Sequence, residues 1–176
     1  MSIISPSTFT IRPAREADLP ALEWGGEYAH FRRVFRVTFE EMKQGNRLML
    51  VAEAEGQIVG QVFLQLHGSP LNPLKNGQRR GYLYALRVRG PWQRQGLGRQ
   101  LIHAAEMELL RRKIYLARIA VAKTNVGARR LYERLNYQII SEDAGIWHYQ
   151  NAEGEHIRVE EPSFILEKSL KEGDSF

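Results

Sequence analysis

The 176-residue chain contains no cysteine. Disulfides, thiolate nucleophiles and thiolate-held zinc are thereby excluded, while every redox compartment stays open. Nor does any run approach the roughly 20 apolar residues of a membrane span. The start, MSIISPSTF, lacks the basic segment and long apolar stretch of a secretory signal, so cytoplasmic residence is expected. Internal repeats, low-complexity blocks and Pro/Gly/Ser-rich linkers are missing too. One domain over 1–176 is therefore expected, with KEGDSF at 171–176 as a frayed polar tail. The five histidines form no H-E-x-x-H, and His156 with Glu160 has no second paired ligand, which argues against a metal site.

What the chain does contain is the make-up of an ordinary soluble globular domain, 43% hydrophobic and 26% charged, and long enough to bury a core unaided. Its net charge of +5 favours anionic partners without choosing among nucleic acid and a phosphorylated cofactor.

Strand and helix signals alternate in the second half and form hairpins in the first. TFTIR reads as a strand, PAREADLPALEW as a helix, and residues 27–43 as a second helix ended by Gly45, although Phe31, Val34, Phe35, Val37 and Phe39 are only partly helical in spacing. RLMLVAEAEGQIVGQVFLQLH reads as a β-hairpin about Glu55–Gly56. The segment 68–80, with two prolines and an Asn-Gly, reads as a long loop before the strand GYLYALRVR. A helical stripe follows at 97, 101, 104, 105, 109 and 110, then the strand IYLARIAVA and a short helix capped by Thr124 or Asn125. YQII and SFILEKSL are the last strands, joined by a polar stretch carrying Trp147, His148 and Tyr149. The mixture implies an α/β (α+β) fold, a mixed sheet covered by helices.

The stretch PWQRQGLGRQL joins the strand ending near Arg89 to the helix opening near Gly96. The first N–H groups of a helix lack intrahelical partners and point out at its positive end, which suits an anion. Glycines at 96 and 98 would let a pyrophosphate approach the backbone, and Arg94 and Arg99 could add charge-assisted contacts. A helix start with solvated arginines is the bland alternative. Two familiar phosphate motifs fail on spacing, because the third glycine of G-x-G-x-x-G would fall on Leu101 and no P-loop lysine follows.

LRVRGPWQRQGLGRQLI followed by AVAKTNVGARRLYERLNYQ resembles the GNAT superfamily of acyl-CoA-dependent N-acetyltransferases. The family's pyrophosphate motif, Q/R-x-x-G-x-G/A, is filled by Gln93, Gly96 and Gly98. Its later Asn-x-x-A-x-x-x-Tyr helix is filled by Asn125, Ala128 and Tyr132. The resemblance implies a mostly antiparallel central sheet with one splayed parallel strand pair, and acetyl-CoA lying between those strands, one through Leu86, Arg87 and Val88 and the other through Ile119, Ala120 and Val121. Backbone groups of Leu86, Arg87 and Val88 would hold pantetheine and thioester, Arg94, Gln95, Gly96, Leu97, Gly98 and Arg99 the pyrophosphate, and Asn125 would touch the cofactor from the next helix. Tyr132, seven residues on and so on the same helical face, would protonate the departing thiolate. The implied activity is transfer of an acetyl or short acyl group to a primary amine of a small molecule or protein, without a metal; a homodimer is compatible with the fold.

A base to take the amine's proton is not marked by any motif. Ribosomal-protein N-terminal acetylases of this superfamily have a Glu five residues before the Asn, and Ala120 stands there in this chain; the strand through Tyr84 and Ala85 has no acid either. Glu27, His30, Glu40, Glu41, His67 and His148 are the candidates, with Tyr84 and water as further options. Acceptor specificity is expected in the segments 68–80 and 141–162. The rival reading is a non-catalytic binding module with a basic nucleic-acid surface built from Arg111, Arg112, Lys113, Arg129, Arg130 and Arg134.

Overall fold

The computed structural model describes residues 8–66 and 79–171. In chain order these form β1 (Thr10–Pro13), a 3-10 segment (Glu16–Gly26), a 3-10 turn (Ala29–Phe31), α1 (Arg32–Lys43), β2 (Arg47–Ala54), β3 (Gln57–Gln65) and β4 (Gly81–Val88). After a single 3-10 turn at Gly90–Trp92 come α2 (Leu97–Arg111), β5 (Leu116–Ala122), α3 (Val126–Arg134), β6 (Gln138–Asp143), β7 (Ile146–Gln150), β8 (His156–Glu160) and β9 (Ser163–Ser169). Seven strands build one sheet in the order β1-β2-β3-β4-β5-β9-β6, and only β4 and β5 run parallel within it. The mixed, mostly antiparallel sheet expected from the resemblance is thus what the chain forms.

Each face of the sheet carries its own apolar layer. Leu97, Leu101, Ile102, Ala105 and Leu109 of α2 pack on Leu83, Ile119 and Leu166 on one face, while Leu19, Leu22, Phe35 and Phe39 pack on Met49, Val51 and Phe63 on the other. Each fully buried Leu or Phe contributes about 1.5–3 kcal/mol relative to exposure. Helix α2 lies so close to β4 that a Cβ on Gly81 would sit 2.2 Å from a methyl of the buried Leu109. One charged residue breaks the α2 stripe. Glu106 is buried and accepts hydrogen bonds from Lys168 Nζ of β9 at 3.0 and 3.1 Å and from the Tyr137 hydroxyl at 2.9 Å, which pins α2 to the far side of the sheet.

Three elements differ from the expectation. The first helix is a 3-10 segment: Pro20 supplies no N–H within it, and Trp24 and Gly25 take left-handed backbone angles that end it in a kink. The helix expected over 27–43 starts only at Arg32, because Ala29–Phe31 turns separately to bring its rings over the sheet. The polar stretch after β6 holds a second, two-stranded sheet, β7 paired with β8. β8 alternates exposed and half-covered residues, as a strand with one face on the protein does, while β7 is exposed except at Tyr149. The expected loop at 68–80 falls, except for its last two residues, outside the described residues, as does the tail after Lys171.

Candidate active site

The site begins with a defect in β4. This strand pairs with β5 only through Gly81, Tyr82 and Leu83, opposite Ala117, Arg118 and Ile119, and beyond Leu83 the two strands part. On its other edge, Gln61 faces Arg87 and Phe63 faces Tyr84, so Val62 alone opposes two residues, Ala85 and Leu86. That is a β-bulge, and Ala85 adopts φ +54° to make it. The buried Gln61 side chain donates a hydrogen bond from Nε2 to the Ala85 carbonyl at 3.3 Å, satisfying the group that the bulge removes from the ladder. The bulge bends β4 away from β5, leaving Leu86, Arg87 and Val88 without a partner on the β5 side. The splayed pair implied by the resemblance therefore has a local cause.

Past the split the chain makes the glycine turn. Arg94 and Gly96 both adopt left-handed angles, φ +60° and +80°, with Gln95 between them. Such alternation turns successive N–H groups toward one point and forms an anion nest. The nest runs into the N-terminus of the 15-residue α2, whose first intrahelical bond of the turn comes from Gln100 N–H to Gly96 O at 3.0 Å. No side chain caps this end, so the N–H groups of Leu97, Gly98 and Arg99 remain directed outward. A Cβ on Gly96 would meet nothing within 4 Å, and one on Gly98 would make only ordinary contact with Leu131. The space a phosphate needs is thus lined by main chain. Gln93 and Gln95 serve the turn itself: Gln93 Nε2 donates to Val88 O at 2.9 Å and Gln95 Nε2 to Pro91 O at 2.9 Å.

Helix α3 brings the second motif to the same split. Asn125 is its N-cap, with Oδ1 accepting from Ala128 N–H at 3.1 Å, which leaves the Nδ2 donors for a ligand. Tyr132 is buried, and burial pushes its phenol up to about 12, with neighbouring Tyr82 adding to the effect. Tyr82, in the last paired stretch of β4, is likewise raised to about 12 by burial, while the Ala120 N–H works in the opposite direction. Two protonated phenols therefore stand where β4 leaves β5.

On the opposite face of β4 lies a cleft of about 630 Å³, walled by the second half of the strand and by the kinked 3-10 segment. Trp24, Glu27 and Tyr28 form one side, Arg87 and Arg89 the other. The Arg87 guanidinium lies 3.7 Å from the Tyr28 ring centroid and 5.4 Å from that of Phe31, while Arg89 covers Trp24 at 5.1 Å. Burial holds the Arg87 guanidinium below its usual range. Phe31 continues the ring surface to the hairpin: it stacks on Trp147 at 6.2 Å and meets Tyr149 at 4.9 Å, with His30 4.2 Å away. Trp147 and Tyr149, in the segment 141–162, thus reach the 3-10 turn at Ala29–Phe31, while neither lines the cleft itself.

Of the described base candidates, Glu27 alone lines the cleft. His30 packs against Phe31 and Tyr149, and His148 is exposed on β7 opposite Arg158. Glu40 pairs with Lys43, and Glu41 with Arg47, which also donates to the Tyr84 hydroxyl at 2.6 Å. His67 lies outside the described residues. The basic surface of the rival reading is partly neutralised, since Arg111 and Arg112 both pair with Glu108 and Arg129 with Glu133. Among the described residues no cluster of His, Cys, Asp or Glu could hold a metal, and no helix is long and apolar enough to cross a membrane.

Comparison with known proteins points the same way. The structure resembles those of the ribosomal-protein-alanine N-acetyltransferase from Brucella melitensis (21% identity, TM-score 0.70, 92% of this chain and 99% of that one) and the ribosomal-protein-S18-alanine N-acetyltransferase from Escherichia coli (22%, 0.63, 96% and 99%). It also resembles Arabidopsis thaliana NAA60 in complex with acetyl-CoA (17%, 0.69, 92% and 98%). At these identities the likeness is one of fold. A curated relative, mycothiol acetyltransferase from Acidothermus cellulolyticus, is 34% identical over 94 residues, which are 50% of this chain and 29% of that protein's length. The acetyltransferase (GNAT) family model matches residues 13–137, and the chain belongs to that family.

Proposed function

We propose that the protein transfers an acetyl, or other short acyl, group from acetyl-CoA to a primary amine by direct attack of the amine on the thioester. The observation that carries this reading is the convergence of three features on one split: the unpaired edge of β4, the left-handed turn at Arg94–Gly96, and Tyr132. Bound acetyl-CoA supplies the activated acyl carbon. The N–H groups of Leu97, Gly98 and Arg99 and the nest before them take the pyrophosphate, the edge of β4 at Leu86, Arg87 and Val88 that β5 leaves unpaired takes the pantetheine, and Asn125 Nδ2 adds a donor from α3. An N–H near Val88 faces the carbonyl oxygen, where negative charge grows as the amine attacks.

As the C–N bond forms and the C–S bond breaks, Tyr132 gives its phenolic proton to the sulfur leaving group. A phenol raised to about 12 is fully protonated at neutral pH, as a general acid must be; the thiol formed is the stronger acid of the two, so the transfer is uphill and is completed by reprotonation of Tyr132 from solvent as CoA leaves. The ammonium formed on the acceptor loses its proton to Glu27, directly or through water, or to solvent. The test is a panel of primary amines assayed for CoA release beside calorimetry with acetyl-CoA. Saturable binding with release dependent on one class of amine is expected. Absence of acetyl-CoA binding would remove the reading.

A further inference from the structure

The cleft on the 3-10 face of β4 contains more hydrogen-bond donors than the protein satisfies. Trp24 Nε1, Arg87 Nη1 and Arg89 Nε are each buried and have no acceptor among the described residues, and all three belong to residues that line this one cleft. Buried arginines are ordinarily held by carboxylates, as Arg12 is by Asp18 and Glu53, or Arg118 by Glu167. Arg87 and Arg89 are instead packed on rings, Tyr28 and Trp24; no carboxylate among the described residues bonds either guanidinium, and the Glu27 charge acts on Arg87 without a hydrogen bond. Three orphan donors, two of them cationic, call for an oxyanion.

The turn proposed above for the pyrophosphate opens on the α2 side of β4, and the cleft adjoins it, since Leu86, Val88 and Gln93 also contribute to its lining. Alternation along β4 sends Leu86 and Val88 toward α2, where the nest opens, and Arg87 and Arg89 toward the 3-10 segment. Glu27 adds one negative charge to the same lining, beside Tyr28. A cleft that offers donors on one wall and a carboxylate with a ring on the other suits a group of both signs.

Resting on the transferase reading above, we propose that the acceptor is an amine bearing a carboxylate, with Arg87 and Arg89 holding the carboxylate and Glu27 facing the amine. Either a free amino acid or the N-terminus of an acidic peptide presents this chemistry. Arg87 is then a specificity-determining residue, and its planar fork, rather than charge alone, does the selecting.

The experiment compares leucine with leucinamide and the dipeptide Ala-Glu with Ala-Gln as acceptors, in the wild type, Arg87→Gln and Arg87→Lys, each checked for an unchanged melting profile. In one pair at least, kcat/KM should favour the carboxylate member by about tenfold or more. In Arg87→Gln the ratio should fall below about twofold through a raised acceptor KM, with the Kd for acetyl-CoA moving far less, and Arg87→Lys should recover only part of it. Which pair discriminates identifies the free amino acid or the peptide as the source. Equal use of both members in both pairs overturns the proposal. So does an Arg87→Gln variant that loses acetyl-CoA affinity while keeping the preference, since the anion would then be the cofactor's. If no amine releases CoA, the transferase reading fails by itself. The oxyanion site is then judged by quenching of the cleft tryptophans, which should saturate with leucine, not with leucinamide, and vanish in Arg87→Gln.

Discussion

The two faces of β4 are made of different materials. Toward α2 the site is main chain: a nest of N–H groups, an uncapped helix end and the free edge of a strand, with side chains such as Gln93 and Gln95 used only to hold the turn in shape. Toward the 3-10 segment it is side chain: Trp24, Tyr28 and Phe31 around two guanidinium groups, with Trp147 and Tyr149 packed against Phe31. A main-chain site recognises what is constant in every reaction cycle and survives many substitutions, provided that the backbone angles are kept. A side-chain site is defined residue by residue, and each ring or charge in it can be altered separately.

The largest expected effect lies between the two faces. Tyr132→Phe removes the proposed proton donor and keeps the ring, so turnover should fall by about 100-fold, within the 10²–10⁴ range of general acid catalysis, while the Kd for acetyl-CoA stays within about twofold. Equal loss in both would make Tyr132 a packing residue of the cofactor wall. Next comes the main-chain face. Gly96→Ala forces a Cβ into φ +80°, a strain of about 1 kcal/mol, and should weaken acetyl-CoA binding by about five- to tenfold in calorimetry. Gly98→Ala, whose Cβ meets Leu131 at 3.5 Å, should change it by less than about twofold. The reverse order would mean that open space, and not backbone angle, fits this turn to its ligand.

The buried phenols give a pH signature. Tyr132 and Tyr82 titrate near 12 in the folded protein against 10 in the unfolded chain, so both are raised. Their stabilising effect is complete below pH 10 and is lost as pH rises from 10 to 12. Chemical denaturation from pH 8 to 11 should show a decline beginning near 10, and Tyr132→Phe should reduce it. The turnover, for its part, should have no falling alkaline limb below pH 10 that belongs to Tyr132. The smallest effect is expected at the side-chain rim: Trp147→Ala removes one stacked ring from Phe31, about 0.5–1.5 kcal/mol, and should raise the acceptor KM by two- to tenfold with acetyl-CoA affinity unaffected.

The same division explains what could be read from the sequence. The turn, α2 and the Asn125–Tyr132 spacing are local: glycines at fixed offsets and a 3.6-residue stripe carry them, so the motif and its placement after a strand are visible in consecutive residues. Arg87 is visible only as a strand residue whose backbone lies at the split. Its partners Tyr28 and Phe31 are about 60 positions away in a segment that reads as helix, and it is the kink at Trp24–Gly26 that brings their rings back over β4. Glu106 is hidden for the same reason, since it sits in an apolar stripe and is explained by Tyr137 and Lys168, 31 and 62 residues on. The β7–β8 hairpin carried a legible signal, because IWHYQ and HIRVE flank the turn-forming Asn-Ala-Glu-Gly; the polar composition of those residues conceals it.

One extra residue in β4 has an effect on the timing of binding. Because the bulge at Ala85 opens the strands within the sheet itself, the slot between them belongs to the fold, and the expectation is that little ordering is left for a ligand to pay for. Arrival of the thioester-bearing chain then resembles the addition of a missing strand to a waiting edge, with hydrogen bonds formed in sequence along a rigid rail. Its association should follow a single exponential phase linear in concentration, without the plateau that a gating step imposes.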